Sequence, residues 1–95
     1  MEDQDPADLT FAGFVLSLAS TAAVHFGDLP DPATGRKDPA DLDAAKRIIE
    51  VLTMLQQKTK GNLIKEEERL LDDLLYDLRL RYVQAQQDDK RIIQP

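Results

Sequence analysis

The segment Lys58-Thr59-Lys60-Gly61-Asn62-Leu63 decides the fold, because it joins two strongly periodic apolar stretches. Glycine adopts positive φ without a steric cost, so Gly61 fits the residue just past the end of a helix. Lys58 and Lys60 place positive charge where a helix dipole favours it. Asn62 can accept a hydrogen bond from the first free amides of a following helix. The segment therefore predicts the turn of an αα-hairpin.

The stretches on either side of this turn predict two antiparallel helices, from about residue 39 to 59 and from about 64 to 86. In the first of them, apolar residues occupy about half of the circumference, which is wider than one neighbouring helix needs. In the second, the main apolar line consists of Leu63, Leu70, Leu71, Leu74, Leu75, Leu78 and Tyr82. These two patterns predict a hairpin that packs against a third element.

A second apolar line lies on the opposite side of the helix after the turn. Tyr76, Leu80 and Val83 recur at i, i+4 and i+7, and a lone hairpin would leave them facing water. Scattered exposed apolar residues are normal on protein surfaces. Three in a row are a better candidate for a surface that binds a partner.

The N-terminal region predicts a third helix, from about residue 6 to 26. The letters DPADL occur at Asp5 and again at Asp38, where each Asp is an expected N-cap followed by a proline at the first helical position. No residue between Phe11 and Val24 is charged. A helix that is apolar nearly all round is buried nearly all round. Either it lies in the centre of the core, or its second face meets another subunit; Phe11 and Phe14 of this helix are candidate contacts with a partner.

The remaining segments define one helical domain over residues 1–95. Gly27 is expected to end the first helix. Residues 28–37 contain Pro30, Pro32 and Gly35 and predict an irregular loop. Residues 1–4 and 87–95 are expected to fray.

Composition excludes several classes of function. The chain has 95 residues, a net charge of −6 and no cysteine, so disulfides, thiolate nucleophiles and zinc–thiolate sites are excluded. The acidic balance argues against nucleic acid as a partner, because a phosphate backbone requires a basic face. No continuous apolar run is long enough for a membrane span, and the acidic start is unlike a signal peptide. We expect a cytoplasmic protein without a membrane partner.

No catalytic, cofactor or metal motif stands out, so we expect no enzyme, no cofactor and no metal. His25 is the only histidine, and no histidine or carboxylate spacing is typical of a metal site. Glu67 and Arg81 fall inside the main apolar arc of the third helix; each either snorkels at an end of the core or pairs with a symmetry mate. Lys58, Lys60, Gly61 and Asn62 form a candidate anion contact, although the turn itself explains them.

The run LTMLQQKTKGNLIKEEERLLDDLLYDLRLRYV, residues 52–83, resembles the bacterial domain-of-unknown-function family 1844. Its KTKGNL turn, its LLYDLR segment and the upstream FAGFVLSLASTAAVHFG followed by a proline-rich loop carry the resemblance, which covers Phe11 to Val83. The resemblance implies a small helical protein of the bacterial cytosol and no activity. Members of that family often carry Thr or Ser at the position of Ile64, which would form a capping box with Glu67.

These observations predict an all-α domain of three helices, in which the N-terminal helix packs across an antiparallel hairpin. The surplus of apolar surface favours a homodimer or higher homo-oligomer, with another protein as a further candidate partner. The predicted function is a small non-enzymatic interaction or scaffold protein that self-associates. The alternative is a binding module for a small anionic or apolar ligand.

Overall fold

The computed structural model describes the backbone of residues 9–93 and the side chains of residues 9–88. In this range the chain forms three helices: α1 spans Phe11–His25, α2 spans Leu42–Lys58 and α3 spans Lys65–Ile93. No strand occurs in the described part of the chain. The predicted all-α fold is therefore confirmed.

Two polar contacts fix the direction of α3 relative to α2. The Gln56 side chain donates a hydrogen bond to the Asp72 carboxylate, and the Arg79 guanidinium donates one to the Thr53 hydroxyl at 2.9 Å. The earlier residue of α2 pairs with the later residue of α3, so the two helices are antiparallel. Helix α1 packs against both of them. This is the predicted hairpin with the N-terminal helix across it.

One apolar core lies where the three helices meet. Its large side chains come from periodic positions on every helix, and Leu52, Leu71, Leu75 and Val15 are the largest that are fully buried. Among the side chains that the structure describes, the buried residues are Val15, Ala22, Phe26, Ala45, Ile49, Leu52, Leu71, Leu75, Leu78 and Ala85. Burial of each large aliphatic side chain contributes roughly 1.5–3 kcal/mol, so this junction is the main source of stability.

Helix α1 begins later than the sequence pattern predicts. Thr10 is its N-cap, because the Thr10 hydroxyl accepts a hydrogen bond from the N–H of Gly13 at 2.9 Å. Leu9 and Thr10 are not helical, so a start near residue 6 is wrong. The expected cap at Asp5 lies outside the described residues.

Helix α2 also begins later than predicted, at Leu42 instead of residue 39. Asp41 is the N-cap, and its carboxylate accepts a hydrogen bond from the N–H of Ala44 at 3.1 Å. The backbone N–H of Asp41 donates to the carbonyl of His25 at 2.7 Å. This bond holds the chain before Asp41 against the end of α1, so Pro39 belongs to the loop. Asp38, the predicted cap, is therefore not the N-cap of α2.

Helix α3 continues beyond the predicted end. The backbone is helical to Ile93, so the predicted end near residue 86 is wrong, while the fraying of residues 87–95 stays a prediction. The segment contains neither glycine nor proline before Pro95, and nothing in its local sequence therefore interrupts the helix. Residues 1–4, 94 and 95, which were also expected to fray, lie outside the described residues.

The loop between α1 and α2 is irregular, as predicted, but it is held together by hydrogen bonds. Gly27 has a φ of +83° and ends α1. A Cβ atom at this position would lie 3.3 Å from the carbonyl oxygen of Asp38, so the returning loop passes close to the glycine. Within the loop, the Asp31 carboxylate accepts a hydrogen bond from the N–H of Ala33, and the Asp31 carbonyl accepts one from the N–H of Gly35.

Candidate functional site: an apolar interaction surface

The clearest candidate site is the line formed by Tyr76, Leu80 and Val83, which we name the outer line of α3. The exposed fractions of these three side chains are 68%, 47% and 48%. They follow the helical repeat on the side of α3 away from the core. The exposure predicted for the outer line is confirmed; its role as a partner surface stays a prediction.

A groove of about 460 Å³ runs along the outer line where α3 meets α2. Leu75 and the α2 residue Gln56 line it together with the outer line itself. The hydrogen bonds from Gln56 to Asp72 and from Arg79 to Thr53 cross between the helices at this groove. Asp72 and Arg79 are part of the groove lining, so these bonds join the α2 side of the groove to the α3 side.

The two α1 residues proposed for a partner surface differ in burial. Phe11 packs against the core, whereas Phe14 is 46% exposed. Helix α1 is exposed on one face in a single chain, so it does not lie in the centre of the core; contact of that face with another subunit stays a prediction. Its exposed face consists of Gly13, Phe14, Leu16, Ser17, Ser20 and Thr21. The face is uncharged, and α2 and α3 cover only the opposite side.

The turn between α2 and α3 has the predicted geometry at its glycine. Gly61 has a φ of +89°, which confirms the left-handed conformation. The N–H of Asn62 donates to the carbonyl of Thr59 at 2.9 Å. Asn62 does not cap α3: the carboxylate of Glu67 accepts from the N–H of Ile64 at 3.1 Å. Half of the capping box therefore remains although Ile64 has no side-chain oxygen.

The same turn is poorly suited to hold an anion. Lys60 lines a cleft of about 370 Å³ with Gln56, Gln57 and Leu63, but the carboxylates of Glu68 and Asp72 line it as well. Lys58 does not line this cleft. Negative charge beside the ammonium group counts against a bound anion. Lys58, Lys60, Gly61 and Asn62 are accounted for by the turn.

Arg81 forms an ion pair that the sequence reasoning missed. Its guanidinium makes two hydrogen bonds of 2.8 Å to the carboxylate of Asp28 and lies 5.2 Å from the centre of the Phe26 ring. The pairing lowers the pKa of Asp28 and raises the pKa of Arg81. Arg81 pairs with Asp28, and Glu67 accepts a hydrogen bond from the N–H of Ile64, so both residues have a partner within their own chain. In the sequence, the one sign of this ion pair was the position of Asp28, directly after Gly27 at the end of α1.

His25 takes part in packing through its backbone. The side chain is half-buried, and the carbonyl accepts the hydrogen bond from Asp41 that returns the loop to α1. Among the residues that the structure describes, no three histidine or carboxylate side chains are grouped as metal ligands. Across the same residues, no helix has the length and apolar character required to cross a membrane.

Comparison with protein families gives one result. The model of the family described as Domain of unknown function (DUF1844) matches residues 8–84. The match includes the turn, the outer line and the Asp28–Arg81 pair. Comparison with curated proteins and with solved structures gave no match.

Proposed function

We propose that this chain, which belongs to the DUF1844 family, is a small non-enzymatic interaction module that associates with a second copy of itself through the outer line of α3. The family description specifies no activity, so the proposal depends on the surface of the molecule. The observation that carries it is the row of Tyr76, Leu80 and Val83, exposed side by side along a groove. Burial of such side chains is the dominant favourable term in protein association.

The chemistry of the ionisable residues also favours an interaction role. The pKa shifts of Asp28 and Arg81 arise from their pairing with each other. A mutual ion pair of this kind stabilises a fold and differs from a carboxylate shifted by burial in a pocket, which is typical of a catalytic group. The partner we propose is a protein surface; neither nucleic acid nor a membrane is proposed.

Sedimentation at low micromolar concentration tests the proposal. We expect a species of twice the 10.7 kDa chain mass. Leu80→Glu should weaken association by at least about tenfold, because one buried leucine contributes roughly 1.5–3 kcal/mol. The helical circular dichroism of Leu80→Glu should match that of the original protein.

Met54→Glu is the matched control, because Met54 is an exposed apolar residue of similar exposure, 46%, on α2 and does not line the groove. It introduces the same charge and should leave the oligomer mass unchanged. A monomer at every concentration, or equal effects of the two substitutions on association, would contradict the proposal.

A further inference from the structure

We draw no further inference here: the strongest candidate, the cleft of about 590 Å³ where the end of α1 and the start of α2 meet α3, has a charged lining of three carboxylates and of Arg81, which already pairs with Asp28, and nothing in the described part of the chain shows what would occupy it.

Discussion

The inner and outer faces of α3 carry the same kinds of residue at the same helical spacing but have different surroundings. On the inner face, Leu71 and Leu75 are only 1% exposed, because α1 and α2 cover them. On the outer face, Leu80 is about half exposed. Periodicity therefore identifies which residues share a face, whereas the number of available neighbours determines whether that face is buried. A three-helix chain has enough neighbours to cover one face of α3.

The largest effect expected from this comparison is the unfolding of the chain by a charge on the inner face. Leu75→Glu would bury a carboxylate without a partner, and loss of a core leucine alone costs about 2–5 kcal/mol. We expect the variant to lose its helical circular dichroism and its cooperative urea transition.

Leu80→Glu is the matched change on the outer face and should retain both signals. The comparison of the faces would be wrong if the two variants unfolded equally, since Leu80 would then belong to the core. It would also be wrong if Leu75→Glu melted like the original protein.

A smaller effect is expected at Gly27, which follows the C-cap of α1, and at Gly61, which lies in the turn after α2. Both have positive φ, so an alanine at either position costs about 1 kcal/mol in backbone strain. Gly27→Ala should cost more, because its Cβ would lie 3.3 Å from the Asp38 carbonyl, whereas nothing lies within 4 Å of a Cβ at Gly61.

Urea unfolding of the two alanine variants measures the difference. The expected order follows from the surroundings: the returning loop lies close to the partly buried Gly27, and Gly61 lies in an exposed turn. A greater loss for Gly61→Ala would show that the approach of the loop to Gly27 is not rigid.

The smallest effect concerns the Asp28–Arg81 pair, which joins α3 to the loop after α1. The pKa of Asp28 in the folded chain lies below its ordinary value of 3.8. The stability that the pair contributes is therefore fully present above that ordinary value and is lost as the pH falls through the lowered pKa. Because both side chains are partly exposed, we expect less than about 1 kcal/mol.

The measurement is urea stability against pH for the original protein and for Asp28→Asn. The two curves should differ near neutral pH and converge in acid. Glu50→Gln is the control, because Glu50 is exposed and has no ion pair among the described side chains. An equal loss for Glu50→Gln at neutral pH would contradict a specific contribution from Asp28.

Much of the fold follows from local features that any three-helix arrangement would preserve. Gly61 forms part of the turn after α2 because only glycine enters the left-handed region freely. The spacing of Leu71, Leu75 and Leu78 predicts the inner face of α3, and the outer line is visible in the sequence for the same reason. Such features depend on residues within one or two helical turns, so a sequence pattern is sufficient to predict them.

The sequence alone determined the helical class, the hairpin turn and the two apolar faces of α3. Only the tertiary structure decided where the loop before α2 lies, because the N–H of Asp41 donates to the carbonyl of His25 at the end of another helix. The same holds for Arg81 and Asp28, which are 53 positions apart and meet only after α1 packs on α3. The physical reason is shared: helix periodicity and helix caps are encoded within a few residues, whereas the placement of the loop and the Asp28–Arg81 pair require groups that folding brings together.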